Sequence, residues 1–156
     1  MKTLLILVGK TTDKHFAASI SDYVGRISHD MPFDIVTIPE LKNTKSLTEE
    51  QQKAAEGELI LKQIQPSDTV VLLDEHGREF RSIEFARWLE QKRNTARRLL
   101  FVVGGPYGFS NAVFTRANER ISMSQMTFSH QMIRLVFTEQ VYRACTIIKG
   151  EPYHHE

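Results

Sequence analysis

The segment Gly104-Gly105-Pro106-Tyr107-Gly108 follows directly on the apolar run Leu99 to Val103. Glycines lack Cβ atoms, so their backbone can approach a ligand closely and take conformations other residues avoid. Pro106 stiffens this loop, and Ser110 stands where it can cap a following helix. A second segment, Met123-Ser124-Gln125-Met126-Thr127, places soft thioethers and free hydroxyls ahead of a long helical stretch. Such a segment can hold an adenine ring and a thioether by packing and backbone hydrogen bonds. The plainer alternative is a strand–helix connection with two core methionines. Further on, His130, Arg134 and Thr138 recur every four residues and so share one helix face. Glu139, Tyr142 and Arg143 cluster a turn later, with Glu139 and Arg143 at the spacing of an intrahelical ion pair.

Other chemistries lack their residues. There is no G-x-G-x-x-G fingerprint and no phosphate loop of the G-x-x-x-x-G-K-[ST] type. Neither a G-x-S-x-G elbow nor an H-E-x-x-H helix is present. The adjacent His154 and His155 fall short of the three or four convergent ligands a metal needs, so no metal is expected. Cys145 is the single cysteine and sits in a helical stretch, where it reads as a small buried hydrophobe.

These residues need elements to position them. Leu4 to Val8 is a continuous apolar run, as expected of a strand covered on both faces. Phe33 to Ile38, Thr69 to Leu73, Leu99 to Val103 and Arg120 to Ser122 read as further strands. Ser46 with Glu49 predicts a capping box for a helix running to about Ile64. Ser82 is expected to cap the next helix, and Asn111 to Ala117 forms a short one. A long helix follows Thr127 and stops at Gly150 and Pro152. Strands alternating with helices predict an α/β fold: one domain over residues 1–156, with a mostly parallel sheet flanked by helices. In such sheets ligands bind beyond the carboxyl ends of the strands.

Composition sets outer limits. The chain has 156 residues, 41% hydrophobic and 25% charged, the profile of a soluble globular domain. The apolar run near the start is too short for a signal peptide and nothing is long enough to span a bilayer, so a cytoplasmic protein with no membrane partner is expected. Net charge is only +1, yet residues 1–77 carry −4 and residues 78–156 carry +5. A basic half can present a phosphate-facing surface while the whole stays near neutrality.

Taken in order, Leu73-Asp74, Phe101 to Gly108, Ser122 to His130, Arg134, Glu139-Gln140, Tyr142-Arg143-Ala144 and Pro152-Tyr153-His154 resemble the RlmH-type methyltransferases of the SPOUT superfamily. The likeness spans essentially the whole chain, including Val8-Gly9-Lys10 and Glu56-Gly57. It implies a deep C-terminal trefoil knot, a homodimer, and S-adenosyl-L-methionine as cofactor. It implies methylation of N3 of a pseudouridine in helix 69 of 23S ribosomal RNA, on the assembled ribosome. By position it assigns Leu73, Gly104, Gly105, Met123, Ser124, Gln125, Met126, Thr127 and Phe128 to the cofactor. Arg143, Tyr153 and His154 fall near the RNA, with His154 the expected proton acceptor or orienter and Arg143 the stabiliser of developing negative charge. Tyr153 is expected to offer a face for a base extruded from the RNA. Two positions depart from the pattern: Ser129 stands where proline is usual, and Tyr107 where the residue is usually smaller. The alternatives are a noncatalytic ribosome-binding module that keeps a nucleotide-shaped pocket, and a small α/β nucleotide-using enzyme.

Overall fold

Period-two alternation in the strands decides the layering, because successive side chains leave a strand on opposite faces. Leu5, Leu7, Phe101 and Val103 point to one face of the sheet, and Leu4, Ile6, Val8, Leu100 and Val102 to the other. Both sets are buried, so each face must be covered by helices. The computed structural model, which describes residues 2–156, shows how. Its elements run β1 (Lys2–Val8), α1 (Lys14–Ser28), β2 (Phe33–Ile38), α2 (Glu49–Lys62), β3 (Thr69–Glu79), α3 (Ser82–Thr95), β4 (Arg98–Val103), α4 (Asn111–Arg116), β5 (Glu119–Ser122) and α5 (Met132–Lys149). The five strands form one sheet in the order β2-β1-β4-β3-β5, and every pair is parallel. All strand carboxyl ends therefore lie along one edge. One face is covered by α1, α3 and α5 through Ile27, Phe85, Trp88, Leu89, Phe137 and Val141. The other is covered by α2 and α4 through Ile60 and Val113.

Several boundaries differ from the sequence expectation. The capping box of α2 is Thr48 with Gln51 rather than Ser46 with Glu49: Thr48 Oγ1 accepts the Gln51 N–H and Gln51 Oε1 accepts the Thr48 N–H. Thr44–Ser46 instead closes a single 3-10 turn entered through Asn43, whose φ is 60°. Ser82 is the first residue of α3, and the cap position belongs to Arg81, whose N–H is accepted by Glu84 at 2.8 Å. Helix α1 was not expected; Asp13 caps it by accepting the N–H groups of His15 and Phe16. Strand β3 runs on to Glu79 through an irregularity between Leu73 and Arg78. At α5, Ser129 Oγ accepts the Met132 N–H at 3.0 Å, so the serine supports the helix start in proline's usual place. Gly150 ends that helix at φ 74°, a conformation glycine takes without steric cost. Cys145 is buried in the core, and burial pushes its thiol up to about 11.

Candidate active site

A cleft of about 650 Å³ opens where β3, β4 and β5 end. Its walls include Leu73, Gly104, Gly105, Met123, Ser124, Met126, Thr127 and Phe128, together with Asp74, Glu75, Tyr107 and His130. Gln125 is exposed and does not line it. The size lies within the range of small-molecule sites. Met126 is 79% exposed at the cleft, which rules out the reading of this segment as a plain connection with two core methionines; Met123 alone packs on the core. The hydroxyls expected to be free are engaged locally. Ser124 Oγ accepts the Met126 N–H at 2.9 Å, and Thr127 Oγ1 donates to Glu75 at 2.8 Å. They shape the loop and leave main-chain groups to face the cavity.

The two loop glycines serve a different purpose from the one their types indicated. Neither Gly104 nor Gly105 has a positive φ; in this loop Gly108 does, at 82°. A Cβ on Gly104 would lie 3.1 Å from the Phe109 ring, and one on Gly105 would lie 2.5 Å from the carboxylate of Glu56. Their missing side chains therefore first make room for neighbours beneath the loop. The loop closes on itself through the Gly108 N–H, which donates to the Gly105 carbonyl at 3.1 Å.

Arg143, Tyr153 and His154 come together elsewhere. Arg143 Nη2 donates to Glu139 at 2.5 Å, which is the expected intrahelical pair. The Tyr153 hydroxyl donates to the same carboxylate oxygen at 3.0 Å, and the guanidinium lies 4.9 Å from the Tyr153 ring centre. Burial, then hydrogen bonding to Tyr23 and Glu139, pushes the phenol far above its ordinary value, so it stays a donor. His154 Nδ1 sits 3.1 Å from Arg143 Nη1. A guanidinium can only donate, so Nδ1 accepts and the ring proton belongs on Nε2, 3.3 Å from Glu156. In this arrangement both ring nitrogens of His154 are engaged, which fixes the orientation of the ring. The Tyr153 ring packs against the Arg143 guanidinium and, edge to face, against Tyr142. His155 is exposed.

The structure thus divides the expected site in two. The cleft reaches α5 no further than Ile133, and Arg143 lies ten residues on, about 15 Å of helical rise. Two buried charged residues that the sequence reading named without giving them a role lie close behind the cleft wall. Arg134 donates to the carbonyls of Val8 and Gly9, to Thr11 Oγ1 and to the carbonyl of His130, at 2.9–3.0 Å. Burial lowers its basicity. Glu56 lies under Gly105, and burial raises its carboxyl above the ordinary value. The four-residue spacing of His130, Arg134 and Thr138 was the available signal for Arg134; Glu56 had none beyond its place beside Gly57.

Comparison with known proteins places this geometry. Residues 1–154 match the family described as "Predicted SPOUT methyltransferase". A protein of Bacteroides fragilis named ribosomal RNA large subunit methyltransferase H is 64% identical over 157 residues, covering all of both chains. A protein of the same name from Bacteroides thetaiotaomicron is 61% identical over the same span. One from Christiangramia forsetii is 54% identical over 99% of each chain. With strand ends, cleft and full-length likeness in agreement, the chain belongs to the SPOUT methyltransferase family.

Proposed function

We propose that this protein methylates large-subunit ribosomal RNA with S-adenosylmethionine as donor, acting at N3 of a pseudouridine in helix 69 of 23S RNA on the assembled ribosome. The observation that carries the reading is the cleft at the strand ends: all the assigned cofactor residues except Gln125 line it. The fit to this cofactor is tested by the walls themselves. Leu73, Met123 and Phe128 offer apolar surface for an adenine, and Gly104 and Gly105 line the cleft with no side chains of their own. Asp74 and Glu75 put carboxylates on the rim, which suits a cationic ligand. When bound, the cofactor supplies an electrophilic methyl group.

The chain's own part is positioning. Holding a base nitrogen in line at roughly 3–3.5 Å from the donor removes much of the barrier. Arg143, kept cationic by Glu139, favours the anion that develops as N3 passes its proton to water. His154, locked by Arg143 and Glu156, presents a directed ring edge. Because Arg143 stands about 15 Å along α5 from the cleft, the reading includes a homodimer in which one protomer's Arg143 cluster completes the other's cleft. Half-buried Leu135 and Val136 on α5 support such a partner surface. The reading also includes the family's trefoil knot. Gln131 and Arg134 tie the segment before and within α5 to residues 8–12, more than 115 positions earlier, which supports threading there. It further includes a single domain over residues 1–156 and a cytoplasmic location, where ribosomes are.

Titration calorimetry with S-adenosylmethionine, then radiolabel transfer to ribosomes, isolated subunits and free 23S RNA, tests the reading. Binding, and labelling far stronger on ribosomes, is expected, because a near-neutral chain gains little from phosphates alone. Folded protein that binds neither cofactor nor its demethylated product refutes it.

A further inference from the structure

Glu56 is only 5% exposed, yet one of its oxygens has no partner. Oε2 accepts from Gln52 on the same helix at 3.2 Å, while Oε1 points at the main chain of Gly105 with no side chain between. Its other charged neighbours are Glu40 beyond β2, which repels it, and His130 ahead of α5, which attracts it. Arg134 faces Glu40 and is committed to four oxygens of its own. Lys53, on the cleft wall, is paired with Glu50. A buried acid without a cationic partner is unusual, and such groups call for a reason. Gly105 is also part of the cleft wall, so the carboxyl lies one backbone thickness from whatever the cleft holds.

We propose that Glu56 makes the cleft select its ligand by charge, favouring the sulfonium form of the cofactor over the neutral product left after methyl transfer. This rests on the reading of the cleft as an S-adenosylmethionine site. The partner that Glu56 lacks is the ligand's positive charge, felt through Gly105. In low dielectric a charge at this remove changes affinity by about tenfold or more. The same coupling runs in reverse. Burial holds the carboxyl's proton on more firmly than usual, so a cation in the cleft expels that proton and a neutral ligand does not. Loss of the methyl group then removes the charge that Glu56 favours, and the product leaves more readily.

The test is calorimetry with S-adenosylmethionine and S-adenosylhomocysteine, in two buffers of different ionisation enthalpy, at several pH values from about 5 to 8. Wild type is expected to bind the sulfonium form more tightly, with proton release specific to it. Glu56→Gln keeps the shape and is expected to shrink the affinity ratio about tenfold and abolish the release. Gly105→Ala, whose methyl would displace the carboxylate, is expected to move both in the same direction. Glu58→Gln, on the exposed side of α2 and outside the cleft wall, is expected to leave the affinity ratio and the proton release intact. If Glu56→Gln keeps the wild-type ratio and release, or Glu58→Gln alone removes them, the proposal is overturned while the cleft remains a cofactor site. If wild type binds neither ligand, both readings fall.

Discussion

The cleft touches only the first turn of the long helix that carries the Arg143 cluster, and the two regions follow opposite rules. Around Arg143 nearly every polar group is engaged: the guanidinium, Glu139, the Tyr153 hydroxyl and both nitrogens of His154 form one chain of hydrogen bonds ending at Glu156. In the cleft, Met126 is bare, the glycine loop is held by one internal hydrogen bond, and Glu56 beneath it is incompletely satisfied. A satisfied network fixes geometry, and an unsatisfied pocket leaves energy to be gained from a ligand. The difference separates a region built to orient from a region built to receive.

The largest effect is expected where α5, which touches the cleft and carries the cluster, is tied to the end of β1. Arg134→Ala strands two buried carbonyls and is expected to cost about 4 kcal/mol, read as a lower midpoint in urea unfolding. Next, Gly104→Leu should abolish cofactor binding, by at least about 100-fold in Kd, because Phe109 already closes the space beneath it. The cluster should stay intact in that variant, so circular dichroism and dimer mass by light scattering, twice 18.0 kDa, should be unchanged. A converse result is expected at the tail. His154→Ala should lower single-turnover methyl transfer roughly 100-fold while leaving cofactor affinity within twofold, and His155→Ala should match wild type. Equal activity of the two variants would mean that the tail only decorates the helix.

The smallest effect sharpens the contrast through pH. The folded carboxyl of Glu56 binds its proton more tightly than its ordinary value of 4.5. The unfolded chain therefore binds fewer protons in the window above 4.5, and this group's contribution to stability declines as pH rises from there through the raised value. Glu56→Gln should flatten that decline in unfolding measured from pH 4.5 upward, whereas substitutions in the Arg143 network should not.

How much of this was legible in the chain follows from range. Leu4 to Val8 and Leu99 to Val103 announce themselves because strands covered on both faces must be apolar throughout. The start of α2 was ambiguous because two capping patterns overlap, Ser46 with Glu49 and Thr48 with Gln51; the turn at Asn43 decides between them. Helix α1 was legible and went unread: Phe16, Ile20, Val24 and Ile27 recur at helical spacing behind the Asp13 cap. The cleft residues were readable as loops leaving strand ends. What each glycine makes room for was not, since Glu56 lies 49 positions before Gly105 and only the folded chain brings them together. The distance between cleft and tail cluster was within reach: ten helical residues always span about 15 Å.

The strand order has a consequence for how the chain is made. β1 pairs with β2 early, but its other edge waits for β4, whose first residue is Arg98. At synthesis speeds of roughly 5–20 residues per second, the 90 positions from Val8 to Arg98 take about 5–20 s to appear. Throughout that interval a strand with the sequence Leu-Leu-Ile-Leu-Val presents an open hydrogen-bonding edge, the kind that joins other chains. Parallel pairings of such long range are also slow to form once all parts exist. The inner strand β1, whose end Arg134 later ties to α5, is thus the nascent chain's most exposed liability, and a chaperone that covers short apolar strands would be most useful before residue 98 emerges.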